Sequence, residues 1–216
     1  MPHEVALPPA QTATRAPLTD GYTDIAAGRI AAIATTLEMR APPPVSTEHD
    51  NNGLALSRVE KPALGWYRDL FRKIGEPWLW QSRLRLADEV LTGILHDQAV
   101  EVWAATSESE DVGLVELDFR EAGTCELSFF GLVEEWTGRG AGRALMRHAL
   151  VRAWAQPIER LWVHTCTLDH PGALGFYIRA GFKPVKRQVE ISPDPRLDGT
   201  LSPEAAPAVP VIIIES

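Results

Sequence analysis

Trp136-Thr137-Gly138-Arg139-Gly140-Ala141-Gly142-Arg143-Ala144-Leu145 is the stretch on which the fold turns. It follows an apolar run containing Leu127, Phe129, Phe130, Leu132 and Val133, and it opens a helical pattern over residues 140–155. Glycine at every second position between a strand and a helix lets the backbone turn sharply and leaves its amides uncovered. Amides at a helix N-terminus, with the helix dipole behind them, bind phosphate. The stretch therefore predicts a phosphate-bearing ligand at this turn.

Two common phosphate loops fail on the residues themselves. The dinucleotide fingerprint Gly-x-Gly-x-x-Gly places its third glycine at Arg143 counted from Gly138, or at Leu145 counted from Gly140. A P-loop ends in Gly-Lys-Ser/Thr, and none follows here. Downstream, residues 159–168 are rich in β-branched and aromatic residues and read as a buried strand. Asp169-His170-Pro171 then signals a helix start, with Asp169 as N-cap. Ala173, Leu174, Tyr177 and Ile178 follow at helical spacing, and Gly181 closes the helix before Phe182.

Together these two stretches resemble the paired signatures of the GNAT superfamily of acyl-CoA N-acyltransferases. Its loop reads Arg/Gln-x-x-Gly-x-Gly/Ala, and Gly140 and Gly142 fill the two small-residue places, with Thr137 where Arg or Gln is usual. In its second signature Asn leads, Ala comes three later and Tyr seven later; here His170, Ala173 and Tyr177 hold those places. The resemblance spans residues 60–190 and extends in style to Glu76-Pro77-Trp78-Leu79-Trp80 and to residues 164–171, as in an uncharacterised bacterial subgroup. It implies acetyl-CoA as cosubstrate, held by Leu132, Val133, Thr137, Gly138, Arg139, Gly140, Ala141, Gly142, Arg143, His170 and Ala173. It also implies Tyr177 as the acid that protonates the departing thiolate. The backbone of the strand ending at Leu132 and Val133 would bind the pantetheine arm and the thioester oxygen.

Composition bounds the rest. The 216 residues suit one domain with extensions, and 45% hydrophobic with 23% charged residues is ordinary for a globular protein. A net charge of −8 lacks the basic footprint of a nucleic-acid binder. The exception is local: Arg139, Arg143 and Arg147 recur along one helix face, where Arg139 and Arg143 would meet the phosphates of coenzyme A and Arg147 and Arg152 would be solvated. Cys125 and Cys166 fit neither a disulfide framework nor a metal motif and read as small buried hydrophobes. The N-terminus shows no signal-peptide pattern and no apolar run approaches a membrane span, so a cytoplasmic protein without membrane contact is expected.

The order of elements predicts an α+β fold. Residues 1–27 read as an N-terminal extension, 28–191 as the acyltransferase domain, and 192–216 as a Pro-rich linker ending in an apolar edge strand over 209–214. Within the domain come a strand at 28–40, whose Ala-rich start reads equally as helix, a loop over 41–55, and an amphipathic helix carrying Trp66, Leu70, Phe71 and Ile74. A shorter helix spans 86–97, and strands follow at 99–106, 112–119 and 124–133 as consecutive hairpins. The 159–168 strand must return parallel to 124–133 through a right-handed crossover, and a final strand at 182–190 pairs antiparallel. The result is a mixed, mostly antiparallel sheet with a central parallel pair and helices on both faces, which the resemblance also implies. The apolar C-terminal strand makes a homodimer an expectation.

Direct attack of an amine on an acetyl thioester needs a base, an oxyanion donor and an acid. Glu126 lies in the strand beside the expected centre, where it either relays a proton or is an ordinary edge glutamate. His164 reads either as a base or as a satisfied core histidine. Asp169 either orients substrate or merely caps the helix, and Trp78 and Trp80 flank a loop fit to wall an acceptor pocket. His164 and His170 lack a third ligand at useful spacing, so no metal is expected. Beside the N-acetyltransferase reading stand a non-catalytic acyl-CoA-binding module and an unrelated nucleotide-binding module.

Overall fold

Alternating burial along Arg29–Met39 makes this segment a strand with two different faces, the first (β1) of seven in one sheet. The computed structural model describes residues 18–44 and 52–213. The remaining elements, in chain order, are β2 Ala55–Arg58, α1 Leu64–Gly75, α2 Asp88–Leu95, β3 Val100–Ser107, β4 Glu110–Asp118 and β5 Thr124–Leu132. They continue with α3 Ala141–Trp154, β6 Arg160–Cys166, α4 Ala173–Arg179 and β7 Lys183–Pro193. The sheet order is β2-β3-β4-β5-β6-β1-β7, antiparallel throughout except for the β5–β6 pair. The α+β architecture expected from the sequence is the one observed.

Adjacent residues of β5 show how the layers form. Phe129 packs on Phe71 of α1 and on Trp80, whereas Phe130 packs on Phe176 and Tyr177 of α4. Successive side chains of a strand point to opposite faces, so α1 and α4 lie on opposite sides of the sheet. A Cβ on Gly142 of α3 would come within 3.6 Å of Phe176, which puts α3 on the side of α4. The main core gathers α1, α2 and α3 against β3, β4, β5 and β6, with Tyr67, Phe71, Leu114, Leu117, Leu145 and Leu161 almost wholly buried.

Three features differ from the expectations. The loop expected over 41–55 yields at its end to the short strand β2, which pairs with β3; residues 45–51 lie outside the described residues. β1 is placed between β6 and β7, antiparallel to both, although it is first in sequence. The Pro-rich stretch expected to be a linker packs on the domain instead: Leu201, Ala205 and Ala206 join Ile30 and Leu79 in a second apolar cluster. Its anchor is Arg196, buried against Asp194 at 2.7 Å and donating to the Val209 carbonyl at 2.7 Å. No strand forms over 209–213; a single backbone bond ties Gly28 N–H to the Ile212 carbonyl at 2.7 Å, and residue 214 lies outside the described residues. Among the described residues no helix is long and apolar enough to cross a membrane.

Candidate active site

β5 and β6 are paired only from Thr124 to Glu126 against Arg160 to Trp162, and beyond that point they part. The opening is a cleft of about 800 Å³ lined by residues 127–132 of β5 and 163–166 of β6. Val133 N–H donates to the Val112 carbonyl at 2.9 Å. Alternation along the antiparallel β4–β5 pair then turns the backbones of Leu132 and Phe130 away from β4, into the opening. Val133 is buried and its amide is bonded to β4, so that N–H is not free for the role expected of it, whereas Leu132 lines the cleft. Phe130 is a residue the sequence reading missed; the two-residue period of the strand was the signal that paired it with Leu132.

The glycine turn lies at one end of this cleft. Thr137 closes a short 3₁₀ turn, its hydroxyl donating to the Glu134 carbonyl at 2.8 Å, so its side chain is spent on the turn. Gly138 and Gly140 have φ of 74° and 84°, which side-chain-bearing residues rarely adopt, and no side chain caps α3. Thr137, Gly138, Gly140, Gly142 and Arg143 all line the cleft. Arg139 is exposed and outside it, and Ala141 is wholly buried in the core, a packing position and not a contact. Arg179, which the sequence reading passed over, adds a second guanidinium to the lining.

Tyr177 faces the cleft from α4, hemmed by Phe130, Phe176 and Phe182. Gly181, at φ 106°, ends that helix: Gly181 N–H bonds the Ile178 carbonyl and Phe182 N–H bonds the Tyr177 carbonyl. Among the described residues the Tyr177 hydroxyl has no hydrogen-bond partner. Burial, with Asp169 nearby, raises its pKa well above the ordinary 10, so the phenol keeps its proton at neutral pH.

His164 is not the core histidine that the buried-looking strand suggested. Its side chain is half exposed because β6 loses its β5 neighbour here, and its Nδ1 lies 3.5 Å from Glu126 Oε1. The Glu126 carboxylate raises the His164 pKa above 6.5 despite desolvation, with smaller contributions from Asp169 and Glu190. Glu126 itself stands behind His164, outside the lining. Asp169 does not cap α4, whose N-cap is Gly172. It accepts instead from Trp80 Nε1 at 3.1 Å, Thr165 Oγ1 at 2.7 Å and Cys166 N–H at 2.8 Å, and so ties the Trp80 side of the cleft to the end of β6.

Trp78 and Trp80 both line the cleft, with His170 edge-on to Trp78 at 5.2 Å between ring centroids. His170 Nδ1 accepts from Gly172 N–H at 3.0 Å, and Ala173 follows it in the lining. Trp80 is seated by two glycines. A Cβ on Gly75 would meet Trp80 Cβ at 2.4 Å, and one on Gly131 would meet Ile74 at 2.5 Å and Trp80 at 3.1 Å. The loop carrying the tryptophans is anchored by Arg83, which pairs with the buried Glu116 and stacks 5.0 Å from Phe129; Tyr67 donates to the same carboxylate. No short motif announced that cluster in the sequence. Glu190 and Ser192 of β7 also line the cleft, brought there by the pairing of β7 with β1.

Cys166 lines the cleft as well, but burial pushes its thiol up to about 11, and Cys125 is buried and higher still. Neither is a thiolate able to take an acyl group at neutral pH. Among the described residues no three His, Cys, Asp or Glu side chains are placed to hold a metal ion.

The model of the acetyltransferase (GNAT) family matches residues 63–182, more than half of the 216-residue chain. No curated protein matches the sequence. Among solved structures, a functionally unknown conserved protein from Staphylococcus epidermidis superposes with a TM-score of 0.54 at 15% identity, over 77% of this chain and 63% of its own. A GCN5-related N-acetyltransferase from Sphaerobacter thermophilus gives 0.55 at 13% identity, over 75% of this chain and 51% of its own. An aminoglycoside acetyltransferase from an uncultured soil metagenomic sample gives 0.50 at 18% identity, over 60% and 88%. The chain thus matches about half to two thirds of the length of the first two structures.

Proposed function

The chain belongs to the GNAT acetyltransferase family, and on that premise we propose that it transfers an acetyl group from acetyl-CoA to an amine by direct attack on the thioester. The observation that carries this reading is the parting of β5 and β6 after Glu126 and Trp162, with Tyr177 and His164 facing one cleft. The coenzyme half of that cleft holds the glycine turn, Arg143 and Arg179, suited to phosphates. The other half holds His164, Asp169, Glu190 and two tryptophans, suited to a cationic amine on an apolar body.

In the reaction the amine nitrogen forms a C–N bond to the carbonyl carbon, and the C–S bond breaks. His164, held by Glu126, takes the proton the nitrogen loses. Backbone donors of Phe130 and Leu132 stabilise the tetrahedral oxygen, and Tyr177 supplies a proton to the leaving sulfur. The weakly acidic thiols of Cys125 and Cys166 favour this single displacement over an acyl-enzyme.

Calorimetric titration with acetyl-CoA, with ATP and NAD as controls, tests the first half of this reading. Selective binding is expected; a folded protein that binds ATP or NAD in preference, or nothing, would overturn it. Release of free thiol on adding a panel of primary amines tests the second half. Binding without turnover toward any amine would leave an acyl-CoA-binding module in place of the enzyme.

A further inference from the structure

We propose that the chain forms a symmetric dimer through the outer edge of β7, a second copy adding its own β7 antiparallel so that two sheets become one. β7 is the last strand of the sheet, and every residue from Lys183 to Ile191 is exposed. Its inner edge is occupied by β1. Ile33 turns its backbone the other way, donating to Thr167 Oγ1 at 3.0 Å and accepting from Thr167 N–H at 3.2 Å. Alternation then gives the bonds with β7 to Ala32 and Ala34, opposite Glu190 and Gln188, and Asp194 N–H on the Gly28 carbonyl continues the pattern. Arg187, Val189 and Ile191 therefore direct N–H and C=O outward, where no backbone partner meets them among the described residues. An open edge of this kind is a template for another strand.

Backbone bonds alone would accept any strand; the side chains select a second copy. Lys186, Gln188 and Glu190 share one face of β7, and among the described residues neither Lys186 nor Glu190 forms a side-chain hydrogen bond or ion pair within its own chain; Glu190 acts on His164 only at longer range. A twofold axis at Gln188 sets Lys186 opposite the partner's Glu190, and Glu190 opposite the partner's Lys186. In the same register Arg187 and the partner's Val189 exchange both backbone bonds. On the other face Ile33, Val189 and Ile191 are 38%, 37% and 44% exposed, an apolar strip that its symmetry mate would cover. Moving the axis to Val189 keeps the bonds but sets Lys186 against Ser192 and loses the charge pairing. Pro184 and Pro193 bound the seam at both ends. Because Glu190 lines the cleft, the partner's Lys186 arrives at its rim.

Sedimentation equilibrium of the full chain, at concentrations on the order of 10 µM and above as a small interface requires, tests this. The wild type should have twice the monomer mass. Lys186→Glu should be monomeric, and Lys186→Glu/Glu190→Lys should restore the dimer, with circular dichroism showing all three folded. A monomeric wild type, a dimer that survives Lys186→Glu, or a double variant that stays monomeric overturns the proposal.

Discussion

Tyr177 and His164 both hold their protons more firmly than free side chains do, for different reasons. Burial raises the tyrosine, while an adjacent carboxylate raises the histidine. The phenol is thereby kept in the form that can donate. In the proposed reaction the imidazole must lose its proton before it can act as base, so its raised pKa delays activity as pH increases. The rate should therefore climb through an acidic limb above pH 6.5. Glu126→Gln removes the main cause of the shift and should move that limb to lower pH. A kcat/KM profile measured from pH 5 to pH 9 would decide it; an unmoved limb would detach Glu126 from the proton path. Tyr177→Phe should slow turnover at least about tenfold, roughly 1.4 kcal/mol in the barrier. Acetyl-CoA affinity by calorimetry should stay nearly unchanged, since the backbone and the glycine turn are untouched.

At the scale of elements, the glycine turn and the α4 signature were legible in the sequence because each depends on local geometry. Gly138, Gly140 and Gly181 sit at positive φ where the chain must turn, and that demand is written in residue type. Gly140→Val combines a strained φ with a Cβ placed 3.0 Å from Asn52. It should abolish acetyl-CoA binding while leaving the far-ultraviolet spectrum intact; retained affinity in calorimetry would reduce the loop to a simple turn. Strands other than β2 were equally readable, from β-branched and aromatic runs bounded by turns. What escaped the sequence was long-range. Asp169 looks like a helix cap because Asp-x-Pro usually is one, but its oxygens are claimed by Trp80, distant in sequence, and by the end of β6. His164 looked buried because its strand is, and only the parting of β5 and β6 exposes it. The Pro-rich segment after β7 looked like a linker because proline defeats regular structure, yet turns can pack as well as helices do.

Across the whole molecule that segment acts as a clasp. Arg196 holds Asp194 and the carbonyl of Val209, Asp198 pairs with Arg85 at 2.7 Å, and Ser202 N–H donates to Glu76 at 3.0 Å, so both sides of the tryptophan loop are gripped. Arg196→Ala would leave Asp194 buried and unpaired, at a cost of about 3–5 kcal/mol. The unfolding midpoint by calorimetry should drop by roughly 10 °C; a shift within error would make the clasp ornamental. Arg196 holds the Asp194 pKa below its ordinary 3.8, so the stability it lends is full above that value and fades as pH falls through the lowered one. The position of β1 bears on how the molecule is made. It is made before the other six strands of the described sheet, yet its neighbours Arg160–Cys166 and Lys183–Pro193 are the last two of them to be made. β2 to β5 can pair as they emerge, as nearest neighbours in sequence. β1 must wait, and the wall of the cleft that contains His164 is completed only after Lys183–Pro193 has been made. Loop closure over so long a stretch is slow, which makes joining of β1 the step expected to limit the appearance of a competent cleft.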